Sequence, residues 1–308
     1  MAPKISVVLP VYNGATHLAE TIQSILGQSE GDFELIAVDD GSTDATADIL
    51  RSYATGDSRV RVITQDNAGL TRALIRGCES PRAPLIARQD CGDLSRPERF
   101  RRMLELFAER PACVLAAGEC EFVGPERETL YTTTHATKDL RGALLHARID
   151  GVVSLPAGAG AVMRAEAYRR AGGYRPEFYF AQDLDLWIRM APQGDICIDG
   201  AVLYEARVGV RTISSAYRAE QIASATMAIA VRDAQSDAER AALLAEASRI
   251  RPTPRVQNPD AEANANYFIA SCLQRRNDLR WRAYAREAVA RSPLHLRSWL
   301  LLLRGALG

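Results

Sequence analysis

The feature that most constrains the fold of this chain is the segment 33–44, which reads FELIAVDDGSTD. An apolar run stops there at two adjacent carboxylates, Asp39 and Asp40, and a Gly-Ser-Thr turn follows. A continuous apolar run is typical of a strand that is buried on both faces of a parallel sheet. Open α/β sheets bind ligands at the carboxyl ends of such strands, where two acids suit the hydroxyl and N–H donors of a ribose and a base. The segment therefore predicts an α/β fold with a ligand site at the end of this strand.

Two further apolar runs end in polar groups in the same way. The run 5–9 leads into a polar turn, and the run 84–89 leads into a pair of acids. Because the carboxyl ends of parallel strands meet at one edge of a sheet, these polar groups are expected to share one site. The residues concerned are Pro10, Tyr12, Asn13, Asp39, Asp40, Asp90 and Asp93.

Length and composition limit the class of protein. A chain of 308 residues can bury a large core and is expected to form about two domains. Basic and acidic residues number 38 each, so no excess positive charge favours a nucleic-acid partner. The six cysteines show no C-x-x-C pair and no zinc spacing, which favours reduced thiols in the cytoplasm. The N-terminal residues enter a strand directly and no apolar run reaches 18 residues, so neither a signal peptide nor a membrane span is expected.

Strand and helix patterns alternate over residues 1–110, which predicts repeated strand–helix–strand units and a parallel, doubly wound sheet. Ser42 is the predicted N-cap of the helix after the second strand. Residues 111–216 are less regular. Strands are predicted there at 114–117, 120–123 and 158–163, a long connection at 124–150, and helices at 165–171 and 183–190.

The chain beyond residue 217 is predicted to be helical and is rich in alanine and arginine. Its final stretch 270–308 carries eight arginines against only Asp278 and Glu287. Two interpretations stay open for this stretch. It forms packing helices with a solvated basic face, or it makes a peripheral contact with a membrane surface or a partner.

Six short segments carry a family resemblance by their order and spacing. They are PVYNGA at 10–15, VDDGSTD at 38–44, NAGL at 67–70, QDCGD at 89–93, GGY at 172–174 and QDLDLWIR at 182–189. Over roughly residues 4–215 the chain resembles the inverting nucleotide-sugar glycosyltransferases of glycosyltransferase family 2. The resemblance implies the GT-A fold, a Rossmann-like, mostly parallel sheet flanked by helices, followed here by a C-terminal α-helical extension. The predicted domains are 1–216, with a nucleotide-binding half 1–110 and an acceptor half 111–216, and a helical region 217–308.

The resemblance also implies roles for individual residues. Asp183 matches the catalytic base of the family, and Asp40 is expected to contact the nucleotide base. Asp90 and Asp93 match the motif that holds a divalent metal, Mn or Mg, across the donor diphosphate. The residues expected to bind the nucleotide-sugar are Pro10, Tyr12, Asn13, Asp39, Asp40, Asn67, Arg72 and Asp90. Trp187 and Arg189 are expected to support the helix of the base.

The implied reaction moves one hexosyl group from a nucleoside-diphosphate sugar, a UDP-sugar first of all, to an acceptor hydroxyl with inversion. The acceptor would be a glycan, a lipid-linked sugar or a protein in polysaccharide or glycoconjugate synthesis. The attacking hydroxyl loses its proton, and one carboxylate within hydrogen-bond reach is a suitable base. Charge develops on the phosphate of the leaving group, so a metal, an arginine or backbone N–H groups must stabilise it.

Three positions depart from the family pattern. Gly92 stands where a second acid is usual, Gln182 replaces a glutamate, and no histidine lies near Arg207. Metal binding is then weaker than usual, or Asp93 substitutes, or Arg207 or Arg211 neutralises the phosphates. An alternative function is a catalytically degenerate domain that binds a nucleotide or a glycan. A nucleotidyltransferase is less favoured because the loop after the first strand is not the Gly-rich phosphate loop of that class.

Overall fold

The structure is a computed structural model that describes residues 2–134, 139–146, 158–209, 217–252 and 259–304. The chain forms two compact units whose segments alternate along the sequence. The first unit comprises Met1–Cys120, Thr133–Glu205 and Ile222–Arg251, and the second comprises Glu121–Thr132, Ala206–Gln221 and Pro252–Gly308. The predicted boundary at residue 216 falls outside the described residues and stays a prediction.

The strands of the described residues are β1 Ile5–Val11, β2 Phe33–Asp39, β3 Val60–Thr64, β4 Leu85–Arg88, β5 Leu94–Ser95, β6 Cys113–Val123, β7 Thr129–Thr132, β8 Val162–Arg164 and β9 Asp195–Arg207. The α-helices are α1 Ala15–Leu26, α2 Thr46–Gly56, α3 Leu70–Cys78, α4 Arg99–Glu109, α5 Leu140–Leu145, α6 Ala165–Arg170, α7 Gln182–Met190, α8 Arg218–Asp233, α9 Asp237–Ala247, α10 Pro259–Arg275, α11 Trp281–Arg291 and α12 Leu296–Arg304. Helix and strand alternate up to β4, as the sequence predicts.

The sheet of the first unit is parallel in one half and antiparallel in the other. Its strand order is β3-β2-β1-β4-β8-β6-β9-β5. The first four strands pair in parallel, whereas β4–β8, β6–β8 and β5–β9 are antiparallel pairs. The predicted parallel sheet is therefore confirmed for β1–β4. Strand order reverses between β1 and β4, which is the point where open α/β sheets leave a crevice for a ligand.

Two apolar clusters cover the two faces of this sheet. Side chains at alternate positions of β1 enter different clusters, with Ile5, Val7 and Leu9 on one face and Val8 on the other. This alternation explains why the run 5–9 is apolar except at Ser6, because each position of the strand is buried. Buried side chains from α1 and α4 cover the first face, and α3 and α7 cover the second. They include Leu18, Ile22, Ile25, Phe100 and Met103 on the first, and Leu74, Leu186 and Trp187 on the second.

The predicted N-cap of α2 is wrong. The helix begins at Thr46, and Asp44 Oδ1 accepts the Thr46 N–H at 3.0 Å. Ser42 Oγ instead accepts the N–H of Asn13 at 2.9 Å. The helix therefore begins later than a cap at Ser42 predicts, because Ser42 forms a hydrogen bond with Asn13 at the end of β1 and does not cap α2.

Three other local predictions are corrected in the region after residue 110. The two short strands predicted near 114–123 form one strand, β6, because β8 pairs with its first half and β7 with its end. The predicted connection 124–150 contains β7 and α5, and its residues 135–138 and 147–150 lie outside the described part. The predicted strand 158–163 begins only at Val162, because Gly158–Gly160 form a 3₁₀ turn.

Of the helices predicted beyond residue 217, the second unit contains α10, α11 and α12, whereas α9 and most of α8 belong to the first unit. Buried side chains of α10 and α11 pack with Leu130 of β7, among them Ile269, Leu273, Trp281 and Ala285. The outer side of α12 is apolar and exposed. Its side chains at spacings of three and four residues, each at least 45% exposed, are Leu296, Trp299, Leu300 and Leu303. No helix within the described residues has the length and apolar content needed to cross a bilayer.

Candidate functional site

The ends of β1 and β2 are tied together by polar contacts. The Asn13 side-chain oxygen accepts the Thr43 N–H at 2.8 Å, and the Asn13 N–H donates to Ser42 Oγ at 2.9 Å. Asp39 Oδ1 accepts the Ser42 N–H at 3.0 Å. The ring of Tyr12 is 53% exposed beside this turn. Asn13 therefore fixes the turn next to Tyr12 through its bonds to Ser42 and Thr43, in addition to the ligand contact predicted for it.

Asp40 organises the loop that follows β3. Its buried carboxylate accepts hydrogen bonds from Gln65 Nε2 at 2.6 Å and from the N–H groups of Ala68 and Gly69 at 2.9 and 2.8 Å. A carboxylate accepts about four hydrogen bonds, so this arrangement leaves little capacity for a ligand. The structure gives Asp40 a role in holding the 65–69 loop that the sequence did not indicate.

The remaining residues predicted to bind the donor lie along the same edge of the sheet. Asn67 belongs to the loop that Asp40 holds, and Arg72 lies in the first turn of α3. Both side chains are exposed, whereas Pro10 is buried within β1 opposite Val38. Pro10 thus belongs to the strand itself, and Asn67 and Arg72 present polar groups at its carboxyl end.

Arg88, the last residue of β4, joins two of the predicted site residues. Its Nη2 donates to both oxygens of Asp90 at 3.0 and 3.1 Å, and its Nη1 donates to Asp183 Oδ2. The Arg88 side chain is only 4% exposed. Sequence reasoning missed this residue because it was counted within the apolar run that ends at Asp90. The signal that could have found it is a cation at a strand position buried on both faces, two residues before an acid.

Asp183, the predicted base, lies in the first turn of α7. Tyr174 donates its hydroxyl to Asp183 Oδ1 at 3.1 Å, and the N-terminus of a helix favours a carboxylate. Burial raises the pKa of Asp183, the guanidinium of Arg88 opposes that rise in pKa, and the charge of Asp90 adds to it. A carboxylate with a raised pKa takes a proton more readily than an ordinary one. The residue before the helix, Ala181, has a φ of 55°, a strained conformation typical of functional sites.

Polar contacts fix α7 and the turn that carries Tyr174 to each other. Asp185 accepts hydrogen bonds from Arg175 Nη1 at 3.2 Å and from Arg189. Arg189 Nη1 also donates to the Gly173 carbonyl at 2.7 Å. Asp185 therefore has a structural task, and Arg189 supports the helix of Asp183 in the way the resemblance implies.

Gly158 brings backbone against the pair formed by Arg88 and Asp183. A Cβ atom at this position would lie 2.2 Å from Asp183 Oδ2 and 2.7 Å from Arg88 Nη1. Both distances are shorter than a non-bonded contact, so only glycine allows this close approach. The ion pair is thereby covered on one side by main chain.

The 90–93 loop is held by a buried tyrosine. Tyr204 donates its hydroxyl to Asp93 Oδ2 at 2.9 Å and accepts the Asp90 N–H at 3.2 Å. Burial raises the pKa of Tyr204 well above its ordinary value, so the phenol stays protonated and able to donate. The buried guanidinium of Arg99 lies 5.0 Å from the centre of this ring. The loop is thus fixed at both of its acids.

The residues predicted to bind a divalent metal do not fit one as they are placed. Asp90 is bound by Arg88 and Asp93 by Tyr204, so each of the two carboxylates already has a side-chain partner. Gly92 has a φ of 99°, so an acid at this position would be strained. In the part of the chain that the structure describes, no three His, Cys, Asp or Glu side chains are grouped to hold a metal. Of the predicted substitutes, Arg207 ends β9 and Arg211 lies outside the described residues.

Comparisons with known proteins identify the family of the chain. Residues 6–172 match the family model described as glycosyl transferase family 2. The chain is 34% identical over 225 residues to the putative glycosyltransferase EpsE of Bacillus subtilis, covering 70% of this chain and 76% of EpsE. It is 31% identical over 139 residues to the putative teichuronic acid biosynthesis glycosyltransferase TuaG of the same species, covering 45% of this chain and 55% of TuaG.

Solved structures share the fold at low sequence identity. Residues 1–349 of S. aureus TarS in complex with UDP-GlcNAc superpose with a TM-score of 0.57 at 16% identity, covering 99% of this chain and 92% of that one. The mannosyltransferase PcManGT from Pyrobaculum calidifontis, in complex with GDP-Man and Mn²⁺, superposes with a TM-score of 0.59 at 18% identity, covering 100% and 87%. These likenesses confirm the predicted fold class.

Proposed function

The chain belongs to glycosyltransferase family 2 and has the GT-A fold, and from this premise we propose that it transfers a hexosyl group from a UDP-sugar to an acceptor hydroxyl with inversion. The observation that carries the proposal is the setting of Asp183. This carboxylate lies in the first turn of a helix, has a raised pKa and is held by Arg88 and Tyr174. A residue kept in this state is suited to act as a general base.

The proposed reaction is a single displacement. The acceptor oxygen attacks the anomeric carbon while Asp183 takes its proton, and the bond from that carbon to the diphosphate oxygen breaks. The products are a glycoside of inverted configuration and free UDP, so atoms and charge balance without a further reactant. Since the described residues do not fit a divalent cation, no step depends on one.

UDP is proposed as the nucleotide with support from two sides. The carboxyl ends of β1 and β2 present an exposed aromatic ring, Tyr12, beside the buried acid Asp39, and Asp40 holds the neighbouring loop that carries Asn67. An aromatic ring suits stacking against a base, and acids suit its N–H groups and the ribose hydroxyls. TarS was solved with UDP and with UDP-GlcNAc, whereas PcManGT was solved with GDP-Man.

Calorimetric titration with UDP, GDP and dTDP tests the donor, each in Mn²⁺ and again in EDTA. We expect saturable binding of UDP and at least 10-fold weaker binding of the other two nucleotides, a difference of about 1.4 kcal/mol or more in binding free energy. The affinity for UDP should change less than about 3-fold between Mn²⁺ and EDTA. Tight binding of GDP alone would reassign the donor. Binding of none, together with no release of UDP from a panel of UDP-sugars, would leave the degenerate domain as the function.

We propose a cytoplasmic enzyme whose last helix contacts an anionic membrane surface. All six cysteines are free thiols, as is usual in a reducing compartment. The exposed apolar side of α12 includes a tryptophan, and residues 259–304 carry eight arginines against four acids, Asp260, Glu262, Asp278 and Glu287. An apolar helix side with surrounding positive charge is typical of helices that lie at the interface of anionic bilayers.

Vesicle flotation tests this contact. We expect the protein to float with vesicles that contain phosphatidylglycerol and to stay behind with pure phosphatidylcholine. Leu300→Glu places a charge on the apolar side of α12 and should reduce the floating fraction at least 5-fold, because burying a charge at the interface opposes binding. Val202→Glu adds the same charge at an exposed position of β9 and should float like the unaltered chain. Absence of flotation for the unaltered chain would show that the basic face is only solvated.

A further inference from the structure

We propose that Arg88 is a positioning residue for the base, one whose guanidinium holds the Asp183 carboxylate in place and is itself anchored by Asp90. This inference rests on the proposed function of Asp183. It concerns a residue that no motif of the sequence singled out. It also gives Asp90 a second task, as the anchor of an arginine.

The geometry of the guanidinium favours this role. Nη1 donates to Asp183 and Nη2 donates to both oxygens of Asp90, at 3.0 and 3.1 Å. No acceptor for Arg88 Nε is found among the described residues, so the hydrogen bonds of this group go to the two carboxylates. A planar guanidinium fixed at both ends defines the orientation of its partners better than a flexible ammonium group can.

Burial makes the link strong and separates it from solvent. The Arg88 side chain is 4% exposed and that of Asp183 is 19% exposed. Gly158 places backbone directly over the contact, where any Cβ atom would clash. An arginine that is this deeply enclosed cannot swing out to follow a substrate. It can therefore act on the reaction only through the groups it already touches.

The second oxygen of Asp183 has its own partner. Tyr174 donates to Oδ1, so the carboxylate is held at Oδ2 by a cation and at Oδ1 by a neutral hydroxyl. Each carboxylate oxygen can accept a further hydrogen bond, which leaves a place for the acceptor hydroxyl. Since misplacing a catalytic group by about 1 Å can lower a rate by about 100-fold, this double restraint is a sufficient reason for a buried arginine.

The experiment compares Arg88→Met, Arg88→Lys and the control Arg102→Met. Arg102 forms a two-bond ion pair with Asp199 on α4 and β9, at 2.9 and 2.8 Å, and belongs to none of the site contacts. We expect Arg88→Met to lower kcat for UDP release by about 10- to 100-fold, with KM for the UDP-sugar and affinity for UDP changed less than about 3-fold. Arg88→Lys should recover part of kcat because it restores the charge without the fork. Arg102→Met should keep kcat within about 2-fold.

A second readout does not depend on activity. Thermal unfolding is measured for Arg88→Met, Asp183→Ala and the double variant, because alanine removes every acceptor that Arg88 could use at this position. If the two side chains hold each other, the lowering of Tm in the double variant will be smaller than the sum of the single effects, since contacting residues are not additive. Additive effects on Tm would overturn the proposal. So would a kcat of Arg88→Met within 3-fold of the unaltered chain, or a loss of UDP affinity equal to the loss of kcat, which would place Arg88 on the nucleotide.

Failure of the proposed function gives a different pattern. A chain that releases no UDP from any UDP-sugar, yet shows non-additive Tm effects for Arg88 and Asp183, does not have the proposed UDP-sugar transferase activity but contains the proposed link. Turnover with additive Tm effects leaves the function standing and removes the role of Arg88.

Discussion

Asp183→Asn is expected to abolish sugar transfer while leaving UDP bound. A general base contributes about 10² to 10⁴-fold to a rate, so kcat for UDP release should fall at least 100-fold. The amide has the same shape as the carboxylate, and its oxygen can still accept from Arg88, so the packing around α7 persists. Release of UDP from a UDP-sugar is followed with and without a panel of sugar acceptors, and UDP affinity is measured by calorimetry.

Affinity for UDP should change less than about 3-fold in this variant, because the nucleotide is proposed to bind at the ends of β1 and β2 and Asp183 lies on α7. Asp199→Asn is the matched control, since it removes the charge of another aspartate that is paired with an arginine. We expect it to retain kcat within about 2-fold. Equal losses of kcat and UDP affinity in Asp183→Asn would show that this residue binds the donor and that the base lies elsewhere.

The parallel half of the sheet follows from residues that the sequence shows plainly. The run Phe33–Val38 is apolar except at Glu34 because cores lie on both sides of β2, and its end at two acids marks the crevice. Periodicity is a property of each segment by itself, so it predicts β1–β4 well. The antiparallel pairing of β4 with β8 joins Ala87 to Val162 across 75 positions of the chain, and no local pattern encodes such a contact.

The residues of the candidate site likewise divide into those predicted from local sequence patterns and those that depend on contacts distant in the chain. Asp183 was found because it lies in a segment whose order and spacing resemble a family. Arg88 and Tyr204 were assigned no role because their importance comes from contacts across the fold, over 95 positions between Arg88 and Asp183 and 111 between Tyr204 and Asp93. The turn at Ser42 shows the opposite error, since a serine before a helix has a strong local preference that a tertiary contact with Asn13 overrides.

Asp40→Asn is expected to weaken UDP binding and to destabilise the fold together. The carboxylate accepts three hydrogen bonds from the 65–69 loop, two of them from backbone N–H groups. An amide has a single acceptor oxygen, and its NH₂ would face a donor. Leaving a buried N–H without a partner costs about 1–3 kcal/mol, so the free energy of unfolding should fall by about the same amount. Urea titration measures that change.

Asp40→Asn can lower the affinity for UDP through the loss of an acid at the end of β2 or through the loss of contacts with the 65–69 loop, and Asp39→Asn separates these two causes. Asp39 is equally buried, but within the described residues its carboxylate accepts one hydrogen bond, from the Ser42 N–H, so its variant should lose less stability. If Asp40 acts by holding Asn67 and Arg72 at the sheet edge, Asp40→Asn should lower UDP affinity at least 10-fold. High UDP concentrations should also recover part of the stability of this variant, because a ligand that binds only the folded state stabilises it. Unchanged UDP affinity in this variant would mean that the nucleotide does not use the end of β2. The UDP affinity is the sharper of the two results, because a ligand that binds only the folded state raises stability whether or not it depends on the 65–69 loop.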